Sequence, residues 1–198
     1  MIRVTGLFLY PVKSLRGFPV ASAEMDELGF AGDRRFLVVD KSGNFMTQRT
    51  VPRMALVSTA LSGGSLHLAA DGAPLLATTT ASLDELNRRI LENGGSPVPM
   101  DRFRPNIVLE GGEPFAEDDW AALDIAGVRF RAAGPCKRCI VTTADQLTGL
   151  RGKEPLRTLA KFRRDPLDSS ATIFGLNLIQ ETKSGLVTIG DPAGITSA

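Results

Sequence analysis

The residues best suited to chemistry are the two cysteines of the chain, Cys136 and Cys139, in the segment Gly134-Pro-Cys-Lys-Arg-Cys-Ile-Val-Thr-Thr143. Two cations, Lys137 and Arg138, stand between them and create an electropositive setting that favours a thiolate over a thiol. Such a thiolate is suited to nucleophilic work or to binding a metal. Spacing alone leaves several readings open. A structural zinc site needs four ligands, and beyond this pair the sequence offers a single histidine, His67, which stands in an alternating strand-like stretch and reads as solvent-facing or satisfied. A thioredoxin-like dithiol requires a helix N-terminus at the pair, whereas Ile140-Val-Thr-Thr143 is β-branched and predicts a strand. Two small buried hydrophobes would not require two charges between them. A single soft thiolate in a cationic pocket suits a soft or sulfur-bound metal centre on an anionic carrier.

Other segments could supply donors to the same pocket. Tyr10-Pro-Val-Lys-Ser14 places a lysine and a hydroxyl just past an apolar run, and Gly32-Asp-Arg-Arg35 places two guanidiniums just before another. Thr78-Thr-Thr-Ala-Ser82 gathers hydroxyls and free backbone N–H groups at an expected helix start, a ready anion site. Arg104-Pro-Asn106 adds a planar fork and an amide. Each alone is an ordinary capped or solvated turn, and only their joint occurrence argues for one site. The acidic stretch Glu113–Asp119 lacks the alternation and glycine of a calcium loop and reads as a solvated loop anchored by Phe115 and Trp120.

The elements that must hold these groups are mostly strands. Gly6–Tyr10 and Phe36–Asp40 are apolar runs, with Asp40-Lys-Ser-Gly-Asn44 as a hairpin loop before Phe45. Val57–Leu61 and Ser65–Ala69 flank Ser62-Gly-Gly64 in the same way. The pattern then shifts. Ser82 followed by Glu85 reads as a capping box for a helix over 83–93, with Leu83, Leu86, Ile90 and Leu91 on one face and Gly94-Gly95 as the stop. Strands are expected again at Ile107–Leu109, Leu123–Ile125, Val128–Ala132, Ile140–Thr143, Phe174–Ile179 and Leu186–Ile189, with a short helix near 155–164 started by Pro155.

The chain of 198 residues is 43% hydrophobic, enough to bury a substantial core. With 23 basic and 22 acidic side chains, the net charge of +1 argues against a nucleic-acid or membrane surface. The apolar stretch Val4–Tyr10 is too short for a signal or a span, so a soluble cytoplasmic protein is expected.

These motifs together resemble the MOSC family, named for the C-terminal domain of molybdenum-cofactor sulfurase. The resemblance is to the branch with an N-terminal β-barrel that includes the mitochondrial amidoxime-reducing component and bacterial relatives. It rests on Tyr10–Ser14, Gly32–Phe36, Ala81–Asn87, Phe103–Ile107, Phe115–Trp120, Cys136–Thr143, Glu154–Leu159, Phe174-Gly175 and Val187–Asp191, which occur in order from end to end. It implies a mainly β (α+β) fold, with a β-barrel-type MOSC domain and few short helices over 75–198. A small, shortened N-terminal β-barrel-like lobe over 1–74 precedes it. The lobe is read as shortened because His67–Ala70 runs almost directly into Asp71–Thr80, where the relatives have a longer stretch.

The resemblance further implies a molybdenum centre on a pterin dithiolene, molybdopterin, with Cys139 as the protein ligand and catalytic residue. Lys13, Ser14, Arg35, Arg104, Asn106 and Arg138, with Lys137 beside it, match cofactor-contacting positions; Thr80, Ser82 and Asn177 lie where the family makes similar contacts. The family's enzymes reduce N-hydroxylated compounds by removing oxygen. The chain has no cysteine set for an iron–sulfur cluster and no dinucleotide fingerprint, so electrons are expected from a separate protein of ferredoxin or flavin-reductase type. The family also carries a pyridoxal-phosphate-binding association. The alternatives are a carrier of the cofactor or its sulfur without turnover, and a domain that has lost binding altogether.

Overall fold

The computed structural model describes residues 1–57 and 75–197. The strand pair expected around Gly63-Gly64, with His67 and the Asp71–Pro74 turn, lies outside the described residues. Among those described, the chain is mostly β with two α-helices.

One sheet contains nine strands. Its order is β12 (Ala193–Ser197), β7 (Trp120–Ile125), β8 (Val128–Arg138), β10 (Asp168–Gln180), β5 (Leu75–Thr79), β6 (Ile107–Glu110), β1 (Arg3–Leu9) and β2 (Phe18–Val20); β9 (Arg164–Asp165) pairs with β10 off this path. A three-stranded sheet is formed by β11 (Leu186–Thr188), β3 (Ser22–Asp26) and β4 (Gly29–Phe30). Neighbours are antiparallel except β5 and β6, which run parallel because α1 (Thr80–Glu92) carries the chain back between them.

β8 shows why these residues make strands. Val128 and Phe130 point into the core while Arg129 and Arg131 face water. Ala23, Met25 and Phe30 of the smaller sheet, with Val187, close over Leu7, Ile107, Leu123, Ile125 and Leu178 of the larger one. β8 and β10 run further than their apolar cores suggest, because each completes the other's ladder from Phe130↔Gln180 to Arg138↔Thr172. The ladder slips on either side of Leu176, opposite Pro135, which has no N–H to donate. At this slip Gly175 has φ +77, and a Cβ there would lie 2.7 Å from the Ala77 carbonyl oxygen. Only glycine fits that approach.

Three expectations need correction. The helix begins at Thr80 rather than at 83. Its N-cap is Thr79, whose hydroxyl accepts the Ser82 N–H at 3.1 Å, and Glu85 is taken by Arg88 and Arg89 instead of closing a capping box. Those guanidiniums hold the Glu85 carboxyl down at about 2. Leu86 and Ile90 are buried on the expected face with Leu83 partly covered, packing on Phe103, Leu159 and Phe174, but Leu91 is exposed. Ile140–Thr143 is a 3-10 turn and not a strand, because the Thr142 and Thr143 hydroxyls donate to the carbonyls of Cys139 and Ile140, three residues back. The run Phe36–Asp40 makes isolated bridges to Val12 and Phe45 rather than a continuous strand, although Asp40 N–H does donate to Asn44 across the expected turn.

The second helix, α2 (Leu156–Phe162), falls within its expected range. The acidic stretch folds as a 3-10 turn (Ala116–Asp119) with Trp120 buried, but Glu117 is not solvated. Its Oε2 accepts from Ser82 Oγ at 2.8 Å while Oε1 has no partner, and burial raises its pKa.

Candidate functional site

A cleft of about 500 Å³ opens beside the end of β8. Alternation along this strand puts Cys136 and Arg138 on one face and Lys137 on the other. Arg138 donates from Nη2 to the Phe103 carbonyl at 2.7 Å and from Nη1 to the Cys136 sulfur at 2.9 Å. Cys139 follows as the residue before the 3-10 turn, and its sulfur has no hydrogen-bond partner among the described residues. Of the two thiols, one is engaged by a guanidinium and the other is open.

Further lining residues come from the turn after β1, the turn after β4 and the loop before β6. Ser14 has φ 67, Arg34 φ 48 and Arg104 φ 55. Left-handed backbone at non-glycine residues costs of order 1 kcal/mol or more apiece. Five such residues occur among those described, and these three line the cleft. Strain is therefore concentrated where side chains must be aimed.

Tyr10 lies between Arg104 and Arg34, whose guanidinium carbons sit 4.2 Å and 4.9 Å from its ring centroid. Arg104 also donates to the Leu15 carbonyl at 2.7 Å, and desolvation lowers its pKa to about 10. Burial raises the Tyr10 phenol to about 12, against the pull of the two arginines. Since the chain has one tyrosine, a spectrophotometric titration reads this group alone. The midpoint is expected at about 12 in the folded protein and near 10 in denaturant. The folded value is the higher one, so the associated stability is fully present below about pH 10 and is lost as pH rises through about 12. A folded-state midpoint near 10 would show a phenol open to water.

The cleft thus gathers Lys13, Ser14, Arg104, Lys137, Arg138, Cys139 and Asn177 from the residues singled out in the sequence. Lys137 stands at the rim with its ammonium held by Asp165 and Asp168, each at 3.0 Å. Asn177 donates to the Pro135 carbonyl at 3.4 Å.

Four others do not line the cleft. Arg35 turns away to Asp26 at 2.5 Å and to the Phe30 carbonyl, and its neighbour Arg34 takes the pocket position. Asn106 is fully buried behind Arg34, accepting from its Nη1 at 2.8 Å and from the Leu76 N–H at 3.1 Å. Ser82 is buried between Thr79, Glu117 and the Phe115 N–H, so the start of α1 is closed off as an anion site; Thr80, the first residue of that helix, stays with it.

Sequence analysis offered Arg34 only as one of the two guanidiniums of Gly32–Arg35, and it missed Phe45, Thr47, Arg49 and Thr142 as lining residues. Arg34 carried a signal, since it belongs to the Gly32–Arg35 motif. The 45–49 stretch carried none, because its position depends on long-range contacts. Gln48 is buried and donates to the Ser14 carbonyl at 2.9 Å, while Arg151 donates to the carbonyls of Gln48 and Arg49.

Among the described residues the site offers six cations and two sulfurs with no lining carboxylate. No group of three or more His, Cys, Asp or Glu side chains comes together among the described residues. A metal held here would use one protein sulfur and take its other ligands from an anionic carrier.

Comparison with known proteins places the chain in a family. The MOSC N-terminal beta barrel domain matches residues 1–94, and the MOSC domain matches residues 64–193. Mitochondrial amidoxime-reducing component 1 of Homo sapiens is 28% identical over 279 residues, spanning 96% of this chain and 81% of that protein. Mitochondrial amidoxime reducing component 2 of Macaca fascicularis is 29% identical over 279 residues, with 96% and 82% covered. A matched length above the 198 residues of this chain means that those relatives carry additional internal sequence. The YuaD protein of Bacillus subtilis shares the fold, with a TM-score of 0.58 at 18% identity over 100% of this chain and 97% of that one. With the MOSC domain matched over residues 64–193, and the β-rich fold and sulfur-bearing cationic cleft in place, this chain belongs to the MOSC domain family.

Proposed function

We propose that this chain is a molybdenum-cofactor-dependent reductase of N-oxygenated compounds, supplied with electrons by a separate redox protein of ferredoxin or flavin-reductase type. The observation that carries the reading is the convergence of Lys13-Ser14, Arg104, Arg138-Cys139 and Asn177 on one cleft that no carboxylate lines among the described residues. In this proposal residues 1–74 and 75–198 are the N-terminal lobe and the MOSC domain, the setting is the reducing cytoplasm, and pyridoxal phosphate plays no part.

The residues present fit the cofactor. Cys139 offers an open soft sulfur, the class of ligand that suits molybdenum on a dithiolene carrier. Lys13, Arg104 and Arg138 provide fixed positive charge for an anionic pterin phosphate. Arg138 Nε is buried with no partner, an unsatisfied donor on this wall of the cleft. The group would supply two-electron oxygen-removal chemistry when bound: an N–O bond of the substrate breaks, two electrons and two protons enter, and water leaves.

The chain's own part is positional. Ser14, Arg34 and Arg104 are locked in left-handed conformations that direct their side chains to one wall. Arg34 and Arg104 both pack on the Tyr10 ring, and hydrogen bonds to Asp33, Asn106 and the Arg104 and Leu15 carbonyls hold them there. Lys137 is neutralised at the rim, leaving the interior cations to face an anion.

The test is molybdenum and pterin content of protein purified from a cofactor-producing host, followed by benzamidoxime reduction with a chemical electron donor. Near-stoichiometric metal with benzamidine formation is the expected result. Metal without turnover would favour a carrier, and protein free of both metal and pterin would sink the proposal.

A further inference from the structure

The cations of the cleft are not equally available. Arg34 is tied to Asp33 at 2.5 Å and to Asn106; Arg104 to the Leu15 carbonyl; Arg138 to the Phe103 carbonyl and Cys136; Lys137 to two aspartates. Lys13 stands 5.3 Å from the Phe45 ring centroid. The guanidinium of Arg49 has no carboxylate, carbonyl or ring partner among the described residues, although it lines the cleft.

Its backbone is nevertheless firmly braced. The Thr47 hydroxyl accepts the Arg49 N–H at 3.1 Å, and the Thr47 carbonyl accepts from Thr50 and Val51. Gln48, buried beside it, is fastened to the Ser14 carbonyl, and Arg151 donates at 2.6 Å to the Arg49 carbonyl. A turn fixed from both sides presents at the rim a guanidinium that is unpaired among the described residues. Phe45, 42% exposed and four residues earlier in the chain, lines the cleft as well. A planar fork free to bind an oxyanion, in the same cleft as an exposed ring, is suited to a flat anionic molecule.

We infer that Arg49 is the substrate-anion receptor of this cleft, and that the preferred substrates are aromatic N-oxygenated compounds bearing a carboxylate. This rests on the reductase reading and deepens it. Arg49 binds the carboxylate, Phe45 stacks on the ring, and the N-oxygenated end is left to face the Cys139 side. A free guanidinium engaging a carboxylate at an exposed rim contributes on the order of tenfold in affinity.

The experiment compares equilibrium binding of 4-carboxybenzamidoxime and benzamidoxime by calorimetry, using protein from a cofactor-producing host and its Arg49→Gln variant, with molybdenum content and turnover measured alongside. The carboxylate compound is expected to bind about tenfold more tightly, and Arg49→Gln to bring the ratio to near one with molybdenum retained. Equal affinities in the unaltered protein, or a preference that survives Arg49→Gln, would overturn the inference. So would loss of molybdenum in the variant, which would make Arg49 a cofactor-holding residue. A preference abolished by Arg49→Gln but without turnover of either compound would uphold the receptor and overturn the reductase.

Discussion

Cys139→Ser is expected to empty the site without disturbing the fold. Molybdenum and pterin per chain should fall by at least tenfold, since loss of a direct ligand exceeds the 10–100-fold range seen when only its supporting partners are removed. Stability should stay within about 0.5 kcal/mol of the parent, because the Cys139 side chain is only partly covered and caps nothing in the turn that follows. The informative control is Cys136→Ser. That sulfur accepts from Arg138 at 2.9 Å, and a serine oxygen can accept from the same guanidinium, so metal content should hold within about twofold. Metal analysis of both purified variants, with urea unfolding alongside, checks the pair. Equal losses in the two would mean that both sulfurs bind the metal. Retention in Cys139→Ser would remove the thiolate assignment.

The asymmetry between the cysteines was not legible in the sequence, where the two stand in nearly the same context. It arises because β8 continues to Arg138 and puts Cys136 and Arg138 on one face, whereas Cys139 falls beyond the last ladder pair. The ladder partner is β10, more than thirty residues downstream, and local propensity does not carry that information. The same limit explains the misreading of Ile140–Thr143. Two β-branched threonines favour a strand only while their hydroxyls have nothing nearer to bond, and here each reaches back three residues to a carbonyl.

The start of α1 fails for a related reason. Ser82 and Glu85 have the spacing of a capping box, but Ser82 Oγ is committed to Glu117, 35 residues away, and Glu85 is drawn to two arginines one turn on. Conversely, the helix face at Leu86 and Ile90 and the short helix after Pro155 were legible because they depend on local periodicity and backbone chemistry. Of the two guanidiniums in the Gly32–Arg35 motif, Arg34 lines the cleft and Arg35 does not. Positive φ at Arg34 turns its side chain to the cleft and sends Arg35 to Asp26.

Asn106→Leu is expected to have the largest effect on stability of any substitution near the site. Asn106 has no exposed surface, yet its side chain serves three separate elements. Oδ1 accepts from Arg34 at 2.8 Å and from the Leu76 N–H of β5 at 3.1 Å, and Nδ2 donates to the Phe8 carbonyl of β1 at 3.3 Å. Its main chain adds bonds to the same two strands, Asn106 N–H to Leu76 and Phe8 N–H to Asn106. Leucine preserves the volume but leaves the buried Leu76 N–H and the Phe8 carbonyl without these side-chain partners, and removes one of the two bonds made by Arg34 Nη1. Each such group costs roughly 1–3 kcal/mol, so a total loss of about 3 kcal/mol or more is expected in urea unfolding. Arg34 would lose one of the three hydrogen bonds that hold its charge beside Tyr10, and cofactor content should fall with stability rather than independently of it. A variant of parental stability that no longer holds molybdenum would contradict this. Asn106 would then be a direct cofactor contact, and the cleft would have to open inward behind Arg34.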